Sequence, residues 1–179
     1  MTSLIGKYAE AKTCVFWDTE DCPIPKGLNP ESVYRNIRRA LANKGYHGEV
    51  TIWAYGDKNQ IPGYFESAGI KLDRAGVQEI KVERVERMRI GIFGWVLQNK
   101  SEALNLFVVS GNNMHFSMVL EACKEGKPGS CNILLAEPVN IPRRCCRTAL
   151  DKLINEQEGA EWLWETLAAA GDPITTTTA

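Results

Sequence analysis

Three carboxylates crowd one short stretch of the chain, VFWDTEDCPIP at residues 15–25: Asp18, Glu20 and Asp21. An apolar run leads into them, and Pro23 and Pro25 then interrupt regular structure. Acids gathered off the end of a buried strand offer the oxygen donors that a hard divalent cation takes, so metal binding is the first chemistry to test. A second polar turn, SGNNMH at 110–115, puts Asn112, Asn113 and His115 after another apolar run. His115 reads as a polar residue opening a helix, and His47, in the turn KGYHGEV, as a solvated one. Arg143, Arg144 and Arg147 are little diluted by acids and are the candidates for phosphate contacts. Arg35, Arg38 and Arg39 fall on one helical segment. Lys81, Arg84 and Arg87 fall on another, where Glu83 and Glu86 interleave. Both groups read as solvated faces.

Other chemistries lack their motifs. There is no G-x-x-x-x-G-K-[ST] and no G-x-G-x-x-G, so the common phosphate-binding loops are missing. Ser110 precedes Gly111 without a nucleophile elbow around it. An aspartyl-phosphate phosphatase needs Asp-x-Asp after its first strand, and the longer Glu20 would misplace the general acid. The six cysteines, at 14, 22, 123, 131, 145 and 146, form no C-x-x-C pair, so zinc spacing is absent. They read as reduced thiols of an intracellular protein, most simply a cytoplasmic one. A net charge of −1 argues against field-driven nucleic-acid binding and leaves room for a local basic groove. No apolar run is long enough to span a bilayer, so no membrane partner is expected. The stretch MTSLIGKYAEAK has no secretory core, and TTTTA is no lipidation or peroxisomal signal.

The elements that must position these residues alternate. TCVFW, EVTIWAY, IKLDR, LNLFVVSG and CNILLAEP read as buried strands. Between them NPESVYRNIRRALANKG is a marked helix, with Asn29 as N-cap, Pro30 in the first turn and Gly45 as terminator. IPGYFESAG is a short helix. Residues 78–100 form a long one with an apolar stripe of Val82, Val85, Met88 (or Arg89), Ile92 and Trp95 or Val96. Residues 115–126 and 143–156 are also helical, and AEWLWETLAAAG (160–171) is either a short strand or a helix. This order predicts a three-layer α/β/α sandwich around a mainly parallel sheet of about five strands. Asp18 and Asn112 should then lie at the C-terminal ends of adjacent strands, lining one cleft. Residues 1–12 read as an N-terminal extension, 13–156 as one domain, and 157–179 as a C-terminal extension with a disordered threonine-rich tail.

Taken together, VFWDTEDCPIPKGLNPESVYRNIRRAL, SGNNMHFSMVLEACKEG, CNILLAEP and WVLQN resemble the NYN domains, which have the PIN-like nuclease fold. The likeness is to the plant and limkain-type branch, related to the meiosis regulator and mRNA stability factor family. That branch reads V-F-W-D-I-E-[ND]-C-P-[IV]-P where this chain has its acids. The likeness runs over about residues 13–138, with weaker echoes at WLWETL.

The resemblance implies an RNA endonuclease whose strand-end carboxylates hold Mg²⁺ or Mn²⁺, which activates water for phosphodiester cleavage. It implies single-stranded RNA as partner, a role in regulating gene expression, and a peroxisome association in some relatives. Residue by residue, most of the acid set is replaced. Asp18 matches the first-strand Asp. Only Glu79 or Glu83 approximates the Asp near the start of the long helix. Gly91 stands where the family has a later Asp, Asn112 where it has Asp after Ser-Gly, and His115 where it has Asp before Phe, with Asn113 or Met114 inserted. The implied metal set is therefore Asp18, Glu79 and Asn112, with Asp18 and Asn112 as catalytic groups and Glu20, Asp21, Asn113 and His115 lining the site. Such a set would hold Mg²⁺ or Mn²⁺ weakly or not at all. The expectation is a pseudoenzyme that binds RNA weakly, with protein partners or a homodimer compatible with it. An active Mg/Mn-dependent ribonuclease and a non-enzymatic interaction module are the alternatives. Gly91 and Gly94, each costing roughly 1 kcal/mol relative to Ala inside a helix, read as loosened constraint, and an Asp at 91 is expected to be tolerated.

Overall fold

The first strand, β1 (Lys12–Asp18), is apolar on both faces, and all its residues from Thr13 to Asp18 are buried. In the computed structural model, which describes residues 4–57, 64–75, 80–126, 130–141, 147–155 and 159–175, β1 sits inside a sheet. The elements that follow are α1 (Pro30–Lys44), β2 (Val50–Asp57), α2 (Tyr64–Ser67), β3 (Lys71–Ala75), α3 (Lys81–Gln98) and β4 (Leu104–Val109). A 3₁₀ turn (Asn113–Phe116), α4 (Ser117–Gly126), β5 (Cys131–Glu137), α5 (Thr148–Asn155), β6 (Ala160–Leu163) and α6 (Trp164–Ala168) complete them.

Among the described residues the sheet has six strands in the order β3-β2-β1-β4-β5-β6, and every pairing is parallel. The chain winds outward from β1 through β2 to β3, then crosses back to start β4 on the other side of β1. The C-terminal ends of β1 and β4 therefore flank the switch point, where sheets of this kind bind ligands. The sheet has one strand more than expected, because residues 160–171 supply both alternatives: a strand, β6, and then a short helix, α6.

Alternation along β1 sends Val15 and Trp17 to one face and Cys14 and Phe16 to the other. The first pair packs with Val33, Ile37 and Leu41 of α1 and Trp164 and Leu167 of α6. The second packs with Val85, Met88, Ile92 and Val96 of α3 and Leu120 of α4. Asp18 shares the parity of Cys14 and Phe16, so its side chain belongs to the α3 side.

Helix α1 follows its sequence signals. The Asn29 side chain accepts the Ser32 N–H, Pro30 sits in the first turn, and Gly45 ends the helix at φ 107°. Helix α3 departs from expectation in one respect. Val82 is 66% exposed while Arg84 is 2% exposed, so a cation takes the place in the buried stripe that an apolar residue was expected to hold.

At the far end of the sheet a polar network is buried. Thr13, Asn105 and Asn132 lie side by side across β1, β4 and β5. Asn105 Nδ2 donates to Tyr8 O at 3.1 Å and to Thr13 Oγ1 at 3.2 Å. Asn132 Nδ2 donates to Asn105 Oδ1 at 2.9 Å and to Tyr46 Oη at 3.2 Å. No helix among the described residues is long and apolar enough to cross a membrane.

Candidate functional site

Asp18 ends β1 with no exposed surface. The turn after it folds back on its carboxylate: Oδ1 accepts the N–H groups of Glu20 at 3.0 Å and Asp21 at 3.1 Å. Two tryptophans hold the proline-rich exit. Trp17 Nε1 donates to Cys22 O and Trp164 Nε1 to Pro23 O, both at 2.8 Å, with the two rings 5.0 Å apart. The C-terminal segment thus shapes the acidic turn. Neighbouring strand ends close around it. Glu20 Oε1 accepts the Asp57 N–H from the end of β2 at 3.0 Å. The turn after β4 presses Gly111 against Asp21, where an added Cβ would meet Oδ2 at 2.7 Å and Cβ and Cγ at 2.9 Å. A glycine is needed there for the loops after β1 and β4 to touch.

Helix α3 brings a guanidinium into the middle of the acids. Arg84 Nε lies 2.9 Å from Asp18 Oδ1, Nη1 lies 2.9 Å from Glu20 Oε2, and Nη2 lies 3.8 Å from Asp21 Oδ1. The contact to Asp18 is a buried ion pair. One turn earlier, Lys81 Nζ lies 2.6 Å from Asp21 Oδ2. Three carboxylates bring −3 and the two cations return +2, the same charge a divalent ion would contribute. Desolvation opposes the charge on Arg84, but Asp18, Glu20 and Asp21 outweigh it and raise its pKa. Burial lifts the Asp18 carboxyl above its usual range, with Arg84 and the Asp21 N–H pulling the other way.

The sequence expectation treated Lys81, Arg84 and Arg87 as a solvated face, and the structure overturns it for Arg84, which is buried, while Lys81 stays exposed and Arg87 is half-buried. Arg84 and Lys81 meet the acidic turn, and Arg87 pairs with Asp73 at 2.6 Å. The signal that could have found Arg84 is its spacing: it lies four residues before Met88 and eight before Ile92, on the buried stripe. Three acids at the end of a buried strand also call for a counter-cation.

The other candidates are placed as follows. Asn112 lies three residues beyond the end of β4, the strand paired with β1. Its Oδ1 caps the 3₁₀ turn by accepting the Met114 N–H at 3.2 Å, and its Nδ2 is 3.4 Å from His115 Nε2. Asn113 is fully buried, its N–H donating to Glu137 Oε1 at 3.0 Å and its Nδ2 to Ala136 O at 3.2 Å. It pins the turn to β5. The His115 carbonyl accepts both Arg89 Nε, at 2.8 Å, and Arg89 Nη2, at 2.5 Å. Glu79, Arg143 and Arg144 lie outside the described residues. Arg147 is 6% exposed and pairs with Glu137 at 3.4 Å and Glu161 at 2.5 Å.

Gly91 also needs correction. It is no loosened position, because a Cβ there would overlap the Tyr55 hydroxyl and approach Phe16. Its bare backbone lets α3 lie close on the Tyr55 and Phe16 side chains, and an Asp would have to displace the Tyr55 hydroxyl. At Gly94 an added Cβ would meet nothing.

NYN and PIN-like nucleases generally use divalent metals. The residues described here fit such an ion poorly. The oxygens of Asp18, Glu20 and Asp21 that face the site's centre are turned to Arg84 and Lys81, and Asp18 Oδ2 is the buried one with neither hydrogen bond nor ion pair. Among the described residues no group of three His, Cys, Asp or Glu is arranged to hold a metal.

An all-parallel α/β sheet with acids at its switch point is consistent with a PIN-like fold. Comparison with family models matches residues 12–155 to the NYN domain, and the chain belongs to that family. Its function is accordingly nuclease-like and RNA-related. A search of curated proteins finds no match.

Proposed function

We propose that this chain is an NYN-domain protein of RNA metabolism that acts in the control of gene expression by binding single-stranded RNA, with impaired nuclease chemistry. The observation that carries this reading is Arg84, whose guanidinium contacts Asp18 and Glu20 at 2.9 Å each where a nuclease would need the carboxylates open to a metal. Asn112 supports it, because an amide in place of a carboxylate brings no negative charge to anchor a hard cation. The stretch VFWDTEDCPIP supports assignment to the plant and limkain-type branch.

One observation favours an active Mg/Mn-dependent ribonuclease instead: the Asp18 Oδ2 oxygen, buried without a hydrogen-bond partner, is a donor still open to an ion. The deciding experiment is Mn²⁺-dependent cleavage of single-stranded RNA by purified protein, with Asp18→Asn as control. The proposed reading expects no cleavage above that of Asp18→Asn. Robust Mn²⁺-dependent cleavage that disappears in Asp18→Asn would establish the alternative.

A further inference from the structure

The outer flank of α1 carries Arg35, Arg38 and Arg39, all exposed. With Tyr34 and His47 they line a groove of about 580 Å³ between α1, the end of α2 and the start of β2. These arginines differ from the others whose side chains are described. Arg84, Arg87, Arg89 and Arg147 each contact a carboxylate. Among the described residues, Arg35, Arg38 and Arg39 contact none. Among the described residues, Glu31 is the one acid lining the groove. It stands four residues before Arg35, a spacing that allows a helical ion pair, yet no such pair forms. Among the described residues, three guanidinium charges therefore face a concave surface against one carboxylate.

The groove is also preorganised. The Arg38 guanidinium carbon sits 5.5 Å from the Tyr34 ring centroid. The Tyr34 ring is backed by Gly69, where an added Cβ would lie 3.6 Å from its Cζ. A guanidinium held over an aromatic ring loses less freedom on binding and presents a flat cation on which a base can stack. From Glu31 to Ala42 the lining runs about 17 Å along the helix at 1.5 Å per residue, several phosphate spacings of a single strand.

We infer that this groove is where the chain binds the backbone of single-stranded RNA, with Arg35, Arg38 and Arg39 as phosphate contacts and the Arg38–Tyr34 pair as a stacking platform. The inference rests on the RNA reading above and gives it a location. The groove lies on the α1 side of the sheet, whereas Asp18 faces α3. A strand held here need not enter the acidic turn, which suits a protein that binds RNA without cutting it. It also takes the place of Arg147 as a phosphate contact, since Arg147 is committed to Glu137 and Glu161.

The test is fluorescence anisotropy of a short labelled oligouridine titrated with the full chain over a range of salt. The parent is compared with the triple variant Arg35→Gln/Arg38→Gln/Arg39→Gln and with Lys100→Gln as a control for general charge. The substituted side chains are exposed, and an unchanged thermal midpoint verifies the fold. The expected result is salt-dependent binding by the parent and a loss of about tenfold or more in the triple variant. The slope of log affinity against log salt should fall by about 2, at roughly 0.7 per phosphate contact on a single strand, while Lys100→Gln stays near the parent. If the parent binds and the triple variant binds equally well, the groove is wrong and the RNA reading stands. If the parent binds no RNA at any salt, the RNA reading falls and the groove with it.

Discussion

Replacing Arg84 by Met keeps most of the side-chain length and removes the guanidinium, leaving the acids at the end of β1 without their central cation. Arg84 and Asp18 have side-chain exposures of 3% and 0%, so water cannot take the lost partner's place. Removing one member of a buried ion pair costs about 3–5 kcal/mol, and Arg84→Met should fall in that range at neutral pH. Lys81 remains, but it contacts Asp21 rather than Asp18. The pH dependence follows from Asp18. Its pKa is already raised by burial against the pull of Arg84, and losing Arg84 raises it further. A carboxyl whose folded pKa exceeds its unfolded one contributes stability below the unfolded pKa and loses it as pH rises through the folded value. The variant should therefore approach the parent in acid and fall away toward neutrality. Mn²⁺ should recover part of the deficit in the variant, by about 2.7 kcal/mol at a hundredfold excess over the dissociation constant, and leave the parent unchanged. Urea unfolding followed by tryptophan fluorescence reads all of this, since Trp17 and Trp164 flank the turn. A variant within about 1 kcal/mol of the parent at neutral pH, or a deficit that does not shrink on acidification, would refute the reasoning.

Gly91→Ala should destabilise by about 1–3 kcal/mol through overpacking, and Tyr55→Phe in the same chain should restore much of the loss, because the overlap is with the Tyr55 hydroxyl; equal stability of Gly91→Ala and parent would remove the claim. The buried thiols of Cys14, Cys22, Cys123 and Cys131 should resist alkylation until the chain unfolds. Burial pushes the Cys123 thiol up to about 12 and raises those of Cys14 and Cys22 above the ordinary value. Mass mapping after iodoacetamide treatment of native protein checks this, and rapid labelling of Cys14 or Cys22 would contradict it.

The alternation of strands and helices was legible because each element carries its own period. TCVFW, LNLFVVS and CNILLAE are continuous apolar runs, and Asn29, Pro30 and Gly45 mark the limits of α1. The placement of Asp18 and Asn112 followed from those runs alone. The sixth strand was ambiguous because Ala160–Leu163 is only four residues long and runs straight into α6, too short for either period to show. Arg84 was misread because charge was taken as evidence of exposure, whereas its partners lie 63 to 66 positions earlier in the chain. Gly91 was misread for a related reason: helix propensity is a local quantity, and the close approach of Tyr55 from β2 is not.

The buried amides of Asn105 and Asn132 have a consequence for the opposite edge of the sheet. Their hydrogen bonds to Thr13, Tyr8 and Tyr46 can be satisfied in a single alignment of β1, β4 and β5. A slip of one residue would leave these polar atoms unmatched in an apolar interior, and it would turn every side chain of the slipped strand to the other face. From Thr13 to Asp18 is about 17 Å at 3.3 Å per residue, so the amides touch nothing in the acidic turn. They serve as an index mark nonetheless. By permitting one alignment at the quiet end of the strands, they decide at the other end that Asp18 meets α3 and its guanidinium rather than α1.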